Sequence, residues 1–227
     1  MWCFFLFFFS LEPQRSPWPR GKALGGSSVV NFMMYVRGNR RDYDGWGSEY
    51  GVRGWSYDEL LPHFKNIEHC HIDAYSNNGY HGSSGELPCA YASTQTLVSD
   101  VFLEAGKELG YEFVDYNGAK QTGFARLQTN TLDGSRYSAC KSFIKPVVSR
   151  RPNLHITLLS KATRVLFEGK RAVGVEFERD ADKMRVRARR EVILSAGTIG
   201  SPHLLLLSGV GPRAQLEEFQ VRAPSDD

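Results

Sequence analysis

The 227-residue sequence has little cysteine: Cys3, Cys70, Cys89 and Cys140, with no Cys-x-x-Cys pair among them. That spacing supplies neither a disulfide framework nor a zinc site, and leaves room only for one incidental bridge in a secreted setting. An excess of charge is also lacking. A net charge of +3 is too small to imply nucleic acid or an acidic membrane surface as partner. No apolar run reaches the ~20 residues that span a bilayer. The run within Met1–Ser10 has no Lys or Arg before Arg15 and no Ala-x-Ala after it, so it does not have the pattern of a signal peptide. Residues 1–16 read as a foreign or mispredicted leader, or else as a crippled signal segment, and localisation stays open. Internal repeats are lacking too. What is present is 41% hydrophobic and 23% charged, the composition of a soluble globular chain of one large or two small domains.

The richest stretch is Trp18 to Tyr43. Gly21, Gly25 and Gly26 permit backbone geometry that a Cβ forbids. Ser27 and Ser28 are good N-caps for the apolar run Val29 to Val36, which predicts a glycine-rich loop feeding a helix. Such a helix start offers N–H groups to a phosphate, a carboxylate or a polar ring. A tight turn capping a buried helix explains the same residues.

Further on, Asp44 to Tyr57 reads as loop, and Ser56 caps a helix from Tyr57 to Glu68 with Pro62 inside it. His69-Cys70-His71 reads as a solvated helix end, since helical metal ligands favour i and i+4. Thr94 to Leu109 forms an amphipathic helix through Leu97, Val98, Val101, Phe102, Ala105 and Leu109, closed by Gly110. Gly123 to Thr131 alternates as a strand, Asp133-Gly134 turns, and Ser135 leads into a helix to about Val148. Arg136, Ser138 and Lys141 lie on that helix's solvated face. Four alternating stretches (154–158, 162–168, 172–178 and 186–194) predict an antiparallel meander of three or four strands, ending in the apolar strand Val192–Leu194. A helix then starts at Ser201 or Pro202 and stops before Gly209.

Two long motifs carry a resemblance. Gly21-Lys-Ala-Leu-Gly-Gly-Ser-Ser-Val-Val-Asn31, with Tyr35, Gly38 and Asp42 at fixed spacing, resembles the first signature of the glucose–methanol–choline (GMC) oxidoreductases. Ser195-Ala-Gly-Thr-Ile-Gly-Ser-Pro-His-Leu-Leu-Leu-Leu-Ser-Gly-Val-Gly211 resembles the second. Arg37 to Asp44 and Trp55 to Pro62 are similar to the insect glucose-dehydrogenase-like branch. The resemblance implies an α/β fold, an α+β mixture over this stretch, in which an incomplete FAD-binding domain interleaves with part of a substrate domain. It covers residues 17–221 and leaves 222–227 as a tail.

The implied cofactor is FAD and the implied substrate a small-molecule alcohol or sugar, oxidised at a CH–OH group. Matching the family's positions, Ser27, Asn31, Phe32, Met33 and Met34 lie along the flavin ring and its ribityl chain. Val165 matches a backbone contact to adenine, and Ser195, Ala196 and Gly197 match the turn beside the ribose and pyrophosphate. The family's G-x-G-x-x-G is missing from these 227 residues. The formal G-x-G-x-x-A at Gly209 to Ala214 follows an apolar run instead of a strand, with Pro212 where an amide is needed. The family's catalytic histidine pair has no counterpart among His63, His69, His71, His81, His155 and His203, so no catalytic residue is assigned, and no metal ligand. Two readings follow: a piece of a flavin-dependent dehydrogenase or oxidase, or a non-catalytic remnant or binding module that does not hold FAD.

Overall fold

The computed structural model describes residues 18–224. The expectations for the leader at 1–16, for Cys3 and for the end of the tail lie outside the described residues. The chain divides into two compact units, Met1–Leu154 and His155–Asp227.

In the first unit, a 3-10 turn spans Gly26–Val29, and no helix follows it. The expected helix over Val29 to Val36 is corrected to extended chain. Two β-branched residues start the run, the Asn31 side chain accepts the Met33 amide, and Met33 turns left-handed at φ 61°. Met34 then bridges to Thr129, and the Tyr35 amide donates to the Gln128 carbonyl at 2.9 Å.

The expected loop after Asp44 is corrected as well, since α1 covers Arg40–Tyr50. Asn39 and Asp42 close a capping box that seeds it despite Gly45 and Gly47. Edge contacts of Trp46 with Tyr43 and Trp55 hold its apolar side. Helix α2, Tyr57–Ile67, begins as predicted, with the Ser56 amide and hydroxyl both donating to the Glu59 carboxylate at 3.0 and 2.7 Å.

Its end is a strand and not a solvated helix terminus. β1, Glu68–Cys70, alternates, burying Glu68 and Cys70 while His69 and His71 stack on each other outside. β1 runs parallel to β2, Leu87–Tyr91, which pairs antiparallel with β3, Gln128–Thr129. Tyr35, Cys70, Ile72, Tyr75 and Cys89 form the apolar core beside this sheet.

Helix α3, Leu97–Glu108, buries Gly106 and not its apolar stripe, because a Phe124 ring sits where a Cβ on residue 106 would lie at 2.6 Å. Leu97, Val98, Val101 and Phe102 stay exposed. The short strands β4, Thr131–Leu132, and β5, Ser135–Arg136, form a hairpin through Asp133-Gly134, both with positive φ. The helix expected from Ser135 is replaced by this strand and a π-helical turn at Cys140–Ile144.

The second unit contains a three-stranded meander: β6, Lys161–Glu168, β7, Arg171–Arg179, and β8, Asp182–Arg187, pair antiparallel in that order, the first two where expected and the third several residues before the expected 186–194. The stretches 154–158 and 192–194 have no ladder partner among the described residues. Helix α4 spans Gly197–Leu207, one turn earlier than expected, with Pro202 inside it at the cost of one backbone hydrogen bond. Helix α5 spans Arg213–Glu218. No described helix is long and apolar enough to cross a membrane.

Candidate functional site

The nine residues singled out for cofactor contact fall into two sets, one in each unit. In the first unit, Gly25 and Gly26 take φ of 102° and 56°, and open space surrounds the position of a Gly26 Cβ. The Ser27 hydroxyl accepts the Gly21 amide at 3.2 Å, and the Asn31 amide donates to the Ser27 carbonyl at 3.0 Å. Ser27, Asn31, Phe32 and Met34 are exposed and Met33 half-buried, so this loop presents surface at Ser27 and, past the half-buried Ser28 to Val30, along the strip Asn31 to Met34.

What holds the strip open is Arg136. Its Nη1 donates to the Ser28 carbonyl at 3.1 Å and to both the Asn31 carbonyl and the Asn31 Oδ1 at 2.8 Å. The expectation of a solvated basic face is corrected here. Ser138 is buried, and the Lys141 ammonium sits 3.8 Å from the centre of the Tyr137 ring.

In the second unit, Ser195, Ala196 and Gly197 are exposed at the start of α4. Ala196 is the N-cap and offers no side-chain cap, and Gly197 is left-handed at φ 84°. First-turn amides of α4 are thereby available to an anion. Val165 is buried, and its amide donates to the Ser208 hydroxyl at 2.8 Å, at the opposite end of α4. Eleven helical residues set these two places about 16 Å apart along the axis. The structure therefore joins Ser195 to Gly197 but does not bring Val165 to them, and of the Val165 backbone only the carbonyl is left for a purine. The Gly209 decoy has an internal reason: a Cβ there would lie 2.1 Å from the Arg222 carbonyl oxygen.

Beneath the first unit's loop lies a buried ionic network that sequence reasoning missed. The Glu68 carboxylate accepts from the Tyr35 hydroxyl at 2.7 Å and from the Arg37 guanidinium, and it meets His81 Nδ1 at 2.5 Å. His81 Nε2 meets Asp115 at 2.8 Å. Asn117 locks the strand above, accepting the Arg37 amide and donating to the Tyr35 carbonyl, both at 2.9 Å.

Burial alone would lower the His81 pKa. Hydrogen bonds to Asp115, Cys70 and Glu68 reverse that and hold it near 11, a permanent imidazolium at neutral pH. Burial likewise opposes ionisation of Asp115, yet His81 and Gln128 keep it down to about 2. With both ring nitrogens committed to carboxylates, His81 cannot take a proton from a substrate. Cys70 and Cys89 also converge on this network, brought together by the parallel pairing of β1 with β2. Their sequence spacing carried no sign of it.

Residues 7–221 match the family described as GMC oxidoreductase. An oxygen-dependent choline dehydrogenase of Brucella anthropi is 45% identical over 209 residues, 92% of this chain and 37% of the relative. A glucose dehydrogenase [FAD, quinone] of Drosophila melanogaster is 44% identical over 213 residues, 92% of this chain and 34% of the relative. The crystal structure of pyridoxine 4-oxidase from Mesorbium loti superposes with a TM-score of 0.83 at 33% identity, covering 92% of this chain and 41% of that one. The chain thus spans about a third of the length of the curated relatives it matches.

Proposed function

Because this chain belongs to the GMC oxidoreductase family, we propose that it supplies the flavin-ring wall of an FAD-dependent enzyme oxidising the CH–OH group of a small alcohol or sugar. The observation that carries the reading is the open strip from Asn31 to Met34, clasped from behind by Arg136. Bound FAD would supply the hydride acceptor. In the first unit, Asn31, Phe32, Met33 and Met34 would lie against a flavin ring; in the second unit, taken by itself, the exposed turn Ser195-Ala196-Gly197 with the amides of α4 would take sugar and phosphate oxygens. The residues fit the ring side. They do not include a strand-borne G-x-G-x-x-G for the adenosine side. Val165 would contribute at most its carbonyl.

No base for the alcohol proton is assigned within these residues. His81 is a doubly bonded cation, while His69 and His71 stack on each other outside β1. The insect-type segments Arg37–Asp44 and Trp55–Pro62 favour a sugar over choline, although bacterial choline dehydrogenases are equally similar overall. Hydrogen–deuterium exchange of the full chain in excess FAD tests the assignment. Slower exchange over residues 26–34 and 195–200 is the expected result. Unchanged exchange at both places removes it.

The second reading, a binding module without flavin, is favoured by α3, whose Leu97 and Val98 are 84% and 76% exposed. Absorbance of the desalted chain tests the second reading alone. We expect no stoichiometric flavin to survive desalting, since one half of the grip is missing from these residues. A yellow product at one flavin per chain would rule the second reading out.

A further inference from the structure

Cys70 and Cys89 face each other as register partners in the parallel pair β1–β2. Neighbouring strands lie ~4.8 Å apart and partner side chains share a face, which is within the Cα separation of about 4.4–6.8 Å that a disulfide tolerates. Their sulfurs lie within 4.8 Å of each other and of the Glu68 and His81 donor atoms. Both are free thiols.

Their surroundings differ. Cys89 is fully buried and its thiol donates to Gln128 Oε1 at 3.4 Å. Cys70 retains 8% exposure and lies beside the His81 imidazolium. The Cys70 thiol donates to the Ile72 carbonyl at 3.8 Å, and the neighbouring Cys89 sulfur holds it well below its ordinary range; burial opposes this and His81 adds to it. The proximity of Cys70, together with burial, pushes Cys89 up.

The four donors are close enough to surround a cation, but the bonds already made argue against one. Both His81 nitrogens donate to carboxylates, which leaves the ring no lone pair. Glu68 is already held by Tyr35 and Arg37. A metal ion would have to break these contacts, whereas sulfur chemistry leaves them in place.

We propose that Cys70 and Cys89 form a hydroperoxide-sensitive dithiol, in which Cys70 is oxidised first and Cys89 closes a disulfide across β1 and β2. The Cys70 thiolate attacks one peroxide oxygen, the O–O bond breaks, and the departing hydroxide is protonated to water. The Cys89 thiol then attacks the sulfenic sulfur. The S–S bond forms, the S–O bond breaks, and the hydroxide leaves with the Cys89 proton as water. Two thiols are oxidised and one peroxide is reduced to two waters. The order follows from exposure, 8% at Cys70 and none at Cys89, and it does not depend on the flavin reading. The product ties off the crossover between β1 and β2 that carries His81. Gly82 presses that crossover onto α2, where a Cβ would lie 1.8 Å from the Lys65 carbonyl oxygen.

The test uses the full chain, reduced and desalted, then exposed to stoichiometric hydrogen peroxide and quenched in denaturant with a maleimide and dimedone. Peptide mass spectrometry should show a Cys70–Cys89 cross-linked pair lighter by two hydrogens, with Cys140 alkylated. Cys89→Ala should trap a dimedone adduct at Cys70, and Cys70→Ala should give no adduct at Cys89. The wild-type map stands even where a variant fails to fold. Equal alkylation of Cys70, Cys89 and Cys140 after peroxide would overturn the proposal, as would a bridge through Cys140. Protection of both sulfurs by one equivalent of zinc, reversed by a chelator, would replace it with a metal site.

Discussion

Arg136 grips Asn31 at two oxygens, the backbone carbonyl and Oδ1, each at 2.8 Å. Asn31 in turn accepts the Met33 amide on the same side-chain oxygen, so one guanidinium fixes the left-handed turn at Met33 from 105 residues away. The exposed strip proposed to meet a flavin is therefore shaped from below by a β5 residue.

Removing that grip should loosen the strip without unfolding the unit. For Arg136→Ala we expect a loss of about 1–2 kcal/mol, in the range of partly exposed hydrogen bonds to a charged donor, read from the denaturant midpoint. Amide exchange at residues 31–34 should accelerate in the same variant. Unchanged exchange there would show that the turn holds itself.

Glu68 stands between two buried cations, and neutralising it should be severe. Glu68→Gln leaves Arg37 and His81 facing an uncharged amide at zero exposure. Breaking one partner of a buried ionic set costs about 3–5 kcal/mol, enough to unfold the first unit or lower its melting temperature steeply. A variant melting within a degree or two of the parent would mean that the network is neutral in the fold.

The same network sets a pH window. His81 is raised from 6.5 to about 11, so its contribution is complete below pH 6.5 and lost as pH climbs through 11. Asp115 is lowered from 3.8 to about 2, so its contribution is complete above pH 3.8 and lost as pH falls through 2. Glu68 is lowered from 4.5 as well, so melting of the first unit should be highest from pH 4.5 to 6.5 and fall on either side. Calorimetry across that range checks it; a transition that rises steadily from pH 6.5 to about 9 would contradict a charged His81.

The exposed face of α3 makes a different prediction. Leu97→Ser and Val98→Ser should leave stability within about 0.5 kcal/mol, as for surface positions, while reducing self-association in gel filtration. A large loss of stability would show that the face is covered in solution.

Local chemistry was readable from the sequence and non-local chemistry was not. The Ser56 cap, the Asp133-Gly134 turn and the alternation of β6 and β7 declare themselves within a few residues and stand where expected, whereas β8 lies at Asp182–Arg187 and not at 186–194. Helix α1 was hidden by Gly45 and Gly47, although its Asn39–Asp42 capping box lies in plain view. Val29 to Val36 misled because an apolar run reads the same whether it coils or extends, and Met34 is held extended by Thr129, far along the chain. The Glu68–His81–Asp115 network and the Cys70–Cys89 pair depend on a parallel crossover, which leaves no periodic trace. Family resemblance located Ser27 and the strip from Asn31 to Met34, but nothing in the motif named Arg136 as its support.

Asn117 gives the first unit a further property. It answers the Arg37 amide from 80 residues away, as a neighbouring strand would, and no local segment can stand in for it. Until that length of chain is gathered, Arg37, Glu68 and His81 remain hydrated, and their mutual attraction is screened to a fraction of its final strength. Contacts of such long sequence separation slow folding, because the entropy of loop closure is lost before the contact is gained. The first unit should therefore refold slowly and in one late cooperative step, with burial of its charges as the event that completes it.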